Sequence, residues 1–353
     1  MSNSVKSISV SYNPVNKQNT FSNGDVLAGR VVVVIAKETK IKTLLVKVRG
    51  KAEVFWTEQQ GYRIDIYDAK QKCLKLDKIL LSPKKDEGDI VLAPGSHAYP
   101  FIFQLPQGRL PSSFTGEHGS IQYKVEAKLS RSWRIPSRAI SPFMFLSKVD
   151  LSTHQLMLPQ QGIITKTFKV FTSGNVTFKV NLDKSSFRQG ETVKVRVEVS
   201  NGTSREITPK FCVTQKQNFF ASGKRKLHKN TVLKAAGEPV PAKSEQTHVR
   251  MVSLPHDLSV SILNCDILKV EYKIRVYLDI PYAINPELKM PIVILPASYV
   301  SHSAAKTKQP GPVRVGLNPS LVQVQMQVKL LQNCLTLVPS SLSYLFVKKF
   351  AGI

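Results

Sequence analysis

Residues 21–33 read FSNGDVLAGRVVV, and residues 187–199 read FRQGETVKVRVEV. In both stretches a Phe is followed three residues later by a Gly, then by an acidic residue and a valine-rich run, and the copies lie 166 residues apart (187 − 21). A Gly after polar residues is typical of a tight turn, and a valine-rich run is typical of a β-strand. The chain therefore contains the same turn-and-strand unit twice.

A second set of matching positions lies further along each copy. Leu105-Pro106 corresponds to Leu254-Pro255, and Tyr123 corresponds to Tyr272, both at a spacing of 149 residues (272 − 123). The smaller spacing indicates that the second copy has shorter loops. Because a solenoid unit is only ~20–50 residues long, a repeat of this size is a whole domain.

Strict alternation of apolar and polar residues marks the strands. It is clearest in residues 121–130, 193–199 and 270–280, and residues 44–54 also fit. A period of two with one polar face is typical of half-buried antiparallel strands. We predict an all-β fold of two tandem immunoglobulin-type β-sandwich domains.

The turn- and loop-forming residues between these runs predict the domain bounds. We expect an N-terminal sandwich over residues 1–150, a linker over 151–162 and a C-terminal sandwich over 163–297. Residues 298–353 carry six basic residues and no acidic one, and their first part is rich in Ser, Pro, Gly and Lys. That composition buries too little apolar area for stable folding, so we expect a basic, mostly disordered tail in which residues 321–332 alternate again.

The charge of the chain restricts its partners. The net charge is +26, of which +10 falls in residues 1–150, +10 in residues 151–300 and +6 in the remainder. An evenly basic protein attracts nucleic acid, anionic lipid headgroups or phosphorylated peptides, and solubility alone is the alternative explanation. Without an RNA-binding motif, zinc spacing or recognition helix, nucleic acid is the weaker hypothesis.

Cysteine spacing and the first residues indicate a reducing compartment. The four cysteines form no CxxC pair, and the N-terminal residues lack the apolar segment of a signal peptide. The seven histidines form no metal-ligand motif, and no nucleophile elbow or phosphate loop is present. We therefore predict a cytoplasmic protein with no catalytic residues, no metal and no cofactor.

Two groups of cations are candidate binding residues. The first, in the densest basic run SGKRKLHKN, is predicted to be a loop that binds anions such as phosphoinositide or phosphopeptide, or else a solvated hairpin tip; it comprises Lys224, Arg225, Lys226, His228 and Lys229. The second lies on the polar faces of two predicted strands, where ordinary solvent exposure is the alternative; it comprises Lys47, Arg49, Lys51, Lys124 and Lys128.

Three further residues have a structural interpretation. Trp56 and Trp133 are expected to pack in the sandwich cores, where large aromatic side chains are common. Cys265 is expected to be a small buried apolar residue, with thiol exchange with a redox partner as the alternative.

The sequence resembles the α-arrestins, the arrestin domain-containing proteins. Six segments carry the resemblance, and they occur in the same order as in that family. The resemblance covers roughly residues 8–296, and the segments that carry it read NTFSNGDVLAGRV, VKVRGKAEVFWTE, PGSHAYPFIFQLP, PSSFTGEHGSIQYKVEAKLSRSWRIP, FTSGNVTFKVNLDKSSFRQGE and SILNCDILKVEYKIRVYLDIP. The resemblance implies two arrestin-like sandwiches whose concave faces meet cargo. On that basis the cationic strands would contact acidic receptor tails.

The resemblance also implies a function. Such a protein is a non-enzymatic cytosolic adaptor at the plasma membrane and endosomes, which links membrane receptors or transporters to endocytosis, sorting and ubiquitination. Many α-arrestins dock ubiquitin ligases through PPxY motifs, but these 353 residues contain no Pro-Pro dipeptide. Ligase recruitment is therefore expected to be indirect. The buried carboxylate and arginine cluster of the visual and β-arrestins is not recognisable either, since only Asp257 and Asp266 lie between Pro255 and Glu271.

Two other functions are compatible with the sequence. One is a truncated competitor that occupies cargo without recruiting a ligase. The other is a basic nucleic-acid-binding β protein, which the sequence pI of about 9.9 suggests.

Overall fold

The computed structural model describes residues 4–83, 88–148, 156–169 and 173–297. The predictions for the tail lie outside these ranges, as do residues 151–155 of the predicted linker. No helix within the described ranges is long and apolar enough to cross a membrane.

The described residues form twenty strands. The first half contains β1 Val5–Tyr12, β2 Thr20–Phe21, β3 Val26–Ile35, β4 Thr39–Ile41, β5 Thr43–Gln60, β6 Arg63–Leu81, β7 Ile90–Leu92, β8 Gly95–Gln104, β9 Phe114–Gly116, β10 Gly119–Arg131 and β11 Arg134–Phe145. The second half contains β12 Gln160–Phe168, β13 Gly174–Leu182, β14 Ser186–Arg188, β15 Thr192–Asn201, β16 Thr208–Ala221, β17 Lys224–Ala236, β18 Ser244–Ser253, β19 Leu268–Asp279 and β20 Glu287–Leu295.

Each half of the chain forms two facing sheets with the same strand order. In the first half the sheets run β1-β3-β8 and β2-β11-β10-β5-β6, and β4 pairs with β7. In the second half they run β12-β13-β15-β18 and β14-β20-β19-β16-β17, so the second copy repeats the order and adds β12 at one edge. The predicted all-β fold of two tandem sandwiches is confirmed. The exact domain bounds stay a prediction, and β12 begins at Gln160, inside the predicted linker.

The repeated turn at the start of each copy has the geometry that its sequence predicts. Gly24 and Gly190 have φ angles of +79° and +78°, a left-handed conformation that favours glycine. A Cβ atom at Gly24 would lie 2.2 Å from Gln107 Nε2. Asp25 and Glu191 each accept a hydrogen bond of 2.7 Å from the backbone N–H three residues earlier. The acid therefore closes the turn that the glycine permits.

Tyr123 and Tyr272 occupy equivalent buried positions on the central strands β10 and β19. The Tyr123 hydroxyl donates to the carbonyl oxygen of Pro111 at 2.7 Å, and that of Tyr272 donates to the carbonyl oxygen of Ser259 at 2.6 Å. Burial raises the pKa of Tyr123 far above its usual range and that of Tyr272 to about 12. Both hydroxyls therefore stay protonated, and each ties a loop to the core.

The prediction for the two tryptophans is half wrong. Trp56 is 3% exposed and stacks on Tyr67 with the ring centroids 5.2 Å apart, as expected for a core residue. Trp133 is fully exposed, at 103%, because it lies in the turn between β10 and β11 with a φ of +55°. The turn directs its indole away from both sheets.

Candidate functional site

The five cations predicted on the strands lie on one face of the N-terminal sheet. On β5, Lys47, Arg49 and Lys51 alternate with buried residues, and Lys124 and Lys128 do the same on β10. Lys124 lies directly across from Arg49. Directly opposite residues of antiparallel strands share a face, so the structure brings these side chains together on the outer surface of the sheet.

Strand β6 adds cations that the sequence argument missed. Lys72 lies across from Lys51, and Lys75 lies across from Arg49. A row of three cations, Lys75, Arg49 and Lys124, therefore crosses strands that are ~4.8 Å apart. We call Lys47, Arg49, Lys51, Lys72, Lys75, Lys124 and Lys128 the cationic face.

Only part of this charge is neutralised. Asp77 forms an ion pair with Arg49, and Glu53 forms one with Lys51. Glu126 lies 3.9 Å from Arg138 Nη1. Among the described residues, no carboxylate lies within ion-pairing distance of Lys72, Lys75 or Lys124. Like charges placed directly opposite each other destabilise a sheet, so an anion bound here would relieve a repulsion that is present in the free protein.

A cleft of about 970 Å³ opens beside the cationic face. Lys124 and Ile140 line it from the N-terminal sheet, and Gln189 and residues 257–260 line it from the C-terminal sandwich. Met144, which is half-exposed, adds an apolar wall. The cleft thus offers mixed apolar and polar contacts at the end of a positively charged surface.

The basic run at residues 224–229 is a strand, and the loop prediction is wrong. The turn is formed by Ser222 and Gly223, both with positive φ, and β17 starts immediately after it at Lys224. Lys226 forms an ion pair of 3.0 Å with Glu58 of the N-terminal sandwich, which lowers the pKa of that carboxyl. One of the five predicted anion ligands is therefore engaged in a contact between the domains.

Lys229 lies instead in a cluster on the outer face of the C-terminal sheet. It is directly opposite Lys216 on β16, and Lys273 on β19 lies close to both. Burial, together with the charges of Lys216, Lys289 and Lys229, lowers the pKa of Lys273. Carboxylates belong to the same cluster, since Glu271 lies directly opposite Lys216 and Glu287 forms an ion pair with Lys289. The anion-binding role of Lys224, Arg225 and His228 stays a prediction.

The two sandwiches meet through polar and aromatic contacts. Gln71 of β6 donates to Asp266 at 2.9 Å and accepts hydrogen bonds from Cys265 Sγ and the Asp266 backbone N–H. The rings of His118 and Phe219 pack edge to face with centroids 5.5 Å apart. Asp266 therefore has an amide as its interdomain partner, and this contact does not form an arginine-carboxylate lock.

Cys265 is buried at this contact, as predicted, and Cys73 is half-buried beside it. Burial raises the pKa of Cys265, and burial together with the nearby Cys265 raises that of Cys73 from 9.0 to about 11. Because only the thiolate is nucleophilic, a rise of two pKa units lowers the reactive fraction of Cys73 ~100-fold at neutral pH.

We therefore expect both thiols to react slowly. In peptide-resolved alkylation with iodoacetamide at neutral pH, Cys73 should be modified at least ~100-fold more slowly in the folded protein than in urea, and the buried Cys265 should also react more slowly there. Alkylation of folded Cys73 at the rate of the unfolded chain would contradict the buried geometry.

The comparisons with known proteins agree with this architecture. Residues 8–152 match the model for the N-terminal domain of arrestin (or S-antigen), and residues 172–299 match the model for its C-terminal domain. The chain belongs to the arrestin family, in its α-arrestin branch. Arrestin domain-containing protein 4 of Mus musculus is 33% identical over 300 residues, which are 82% of this chain and 72% of that protein. Thioredoxin-interacting protein of Homo sapiens is 27% identical over 295 residues, which are 82% of this chain and 74% of that protein.

Family membership gives the site its general context. Arrestin-family proteins are generally non-enzymatic adaptors that interact with membrane proteins and trafficking machinery. Within the described part of this α-arrestin, no group of three or more His, Cys, Asp or Glu side chains is placed to hold a metal ion.

Proposed function

We propose that this α-arrestin is a cytosolic adaptor in membrane-protein trafficking, which binds the cytoplasmic segment of a receptor or transporter for endocytosis, sorting and ubiquitination. The observation that carries the proposal is the cationic face, whose lysines at 72, 75 and 124 have no carboxylate partner among the described residues. Family membership supports the adaptor role.

The site fits an extended acidic or phosphorylated segment. The cationic face is built from three adjacent strands and would take up clustered negative charges along such a segment. The adjoining cleft, with Ile140 and Met144 in its wall, would take up a neighbouring apolar side chain. Positive charge on the cationic face would raise the rate at which the adaptor associates with the acidic segment, and the cleft would add specificity for its sequence.

Ligase recruitment follows a different route in this proposal. Because the 353 residues lack a Pro-Pro dipeptide, they present no PPxY motif to the aromatic groove of a WW domain. We propose that these two domains reach the ubiquitination machinery through an intermediate partner. Occupancy of cargo without any such partner would make it a competitor of other adaptors.

Charge reversal on the cationic face tests the proposal. In the triple variant Lys72→Glu, Lys75→Glu and Lys124→Glu, we expect the affinity for a labelled peptide with clustered phosphoserines to fall at least ~100-fold at low salt. The reason is that each lysine near an anionic surface contributes ~1 kcal/mol, and three such losses correspond to a factor of ~150. Fluorescence anisotropy measures the affinity, and added salt should weaken binding of the unaltered protein.

The matched control makes the same change in net charge at three positions off the cationic face. Lys17, Lys169 and Lys194 are exposed and lie off the cationic face, so their replacement by Glu should weaken binding only a few-fold. Equal losses of peptide affinity in the two variants would show that net charge alone accounts for the binding. Equal affinity for a single-stranded oligonucleotide of the same charge as the peptide would favour the nucleic-acid alternative.

A further inference from the structure

The tip of the β10–β11 hairpin carries two exposed apolar side chains, one in the turn and one at the start of β11. Trp133 has 103% of its reference surface exposed, and Ile135, two residues later, has 89%. No ring contact or hydrogen bond joins the Trp133 side chain to another described residue. Large apolar side chains at the apex of a turn, fully open to water, are a costly arrangement unless they meet a partner.

This turn is remote from the contact between the domains. Strand β10 begins at Gly119, where an added Cβ would lie 3.2 Å from the Phe219 ring of the C-terminal sandwich. It ends beyond Ser130, which pairs with Thr43 at the start of β5. Eleven residues of strand between Gly119 and Ser130 span ~36 Å. Trp133 therefore lies at the end of the N-terminal sandwich opposite to the interdomain contact.

Basic residues surround the two apolar side chains. Arg134 is exposed between them, and Arg138 follows on β11. Lys40 and Lys42 are exposed on the adjacent segment, where the Lys42 backbone N–H donates to the Ser130 carbonyl oxygen at 2.9 Å. Among the described residues, no carboxylate lies within ion-pairing distance of Arg134, Lys40 or Lys42. Asp89 also lies at this turn, where its carboxylate accepts a hydrogen bond of 2.6 Å from Ser132 Oγ. The apex thus combines an indole and an aliphatic side chain with an excess of positive charge.

We propose that the Trp133 turn is a membrane contact that docks on the surface of a bilayer rich in anionic lipid. Tryptophan favours the headgroup region of a membrane, where its ring is partly buried while its N–H remains hydrated. Ile135 would enter the boundary of the acyl chains beside it, and the surrounding cations would contact lipid phosphates and carboxylates. The turn lies just beyond the end of the cationic face, where Arg138 is directly across from Lys128, and it would hold the adaptor at the membrane independently of cargo.

The two tryptophans make the contact directly measurable. Trp56 is buried in the core, so a change in emission on binding reports Trp133. Adding phosphatidylcholine vesicles that contain phosphatidylserine to the full chain should shift the emission to the blue. Lipids brominated near the headgroup should quench it, and vesicles of phosphatidylcholine alone should have little effect.

The decisive variant is Trp133→Ser with Ile135→Ser, which should bind the anionic vesicles about tenfold more weakly in sedimentation. Both side chains are exposed, so the variant should melt at the temperature of the unaltered protein. The control is Ile64→Ser with Ile66→Ser, two side chains on β6 that are 64% and 62% exposed, and it should bind as the unaltered protein does. The proposal is overturned by vesicle binding without a shift in Trp133 emission, by an equal loss in the control, or by absence of binding to the anionic vesicles.

Discussion

Replacing Tyr123 with alanine should lower the free energy of unfolding of the N-terminal sandwich by about 3–5 kcal/mol. The side chain is buried, and its ring lies 4.9 Å from that of Phe145 and 5.8 Å from that of Phe143, between centroids. Truncation would leave a cavity among these rings and an unsatisfied Pro111 carbonyl oxygen. Urea unfolding followed by Trp56 fluorescence measures the loss, because Trp56 is buried in the same sandwich.

The control substitution is Tyr123→Phe. It keeps the ring packing and removes only the hydrogen bond to Pro111, so we expect a loss of ~1–2 kcal/mol. If the two substitutions destabilise equally, the hydroxyl accounts for the effect and the packing argument is wrong. Tyr272→Ala should produce a corresponding loss in the C-terminal sandwich, since Tyr272 occupies the equivalent position of the second copy.

Replacing Phe219 with aspartate should separate the unfolding of the two sandwiches. Phe219 is fully buried on β16 and contacts the His118 ring of the N-terminal sandwich. A carboxylate there would be buried, and Lys226, which lies directly opposite on β17, is already paired with Glu58, so the change should cost about 4 kcal/mol or more. We expect the C-terminal sandwich to unfold at lower urea, as seen by circular dichroism, before Trp56 reports unfolding of the N-terminal one.

A conservative change provides the comparison. Phe219→Leu keeps an apolar side chain and should lower the free energy of unfolding by less than ~1.5 kcal/mol. The unfolding transitions seen by circular dichroism and by Trp56 fluorescence should therefore resemble those of the unaltered protein. Unchanged, coincident transitions in Phe219→Asp would show that the ring does not support the interdomain contact.

The predictions that were confirmed rest on local patterns. Alternation in residues 121–130, 193–199 and 270–280 correctly located parts of β10, β15 and β19, because one buried face imposes a period of two on the residues themselves. The FxxG[DE] turn could also be predicted, since the left-handed glycine and the acid that caps the turn act within a few residues of each other.

The predictions that failed depended on where a segment ends. Residues 224–229 have the charge density of a loop, yet pairing with β16 makes them a strand, because an edge strand tolerates charged side chains and is protected by them from aggregation. Trp133 is a large aromatic residue of the type that usually packs in a core. It lies instead at the apex of a hairpin, where its backbone has a φ of +55° and its ring is exposed to solvent. Composition alone does not distinguish these positions.

The sequence by itself determined the repeat, the two β-sandwiches, the faces of the main strands and the even positive charge, since each follows from residue identity and short-range periodicity. Only the tertiary structure decided the candidate site. Strand register places Lys75 and Lys124 on either side of Arg49, although 49 residues (124 − 75) separate the two lysines in the chain. Register depends on packing of the whole buried face, because a shift of one residue would move every side chain of a strand to the opposite side of the sheet.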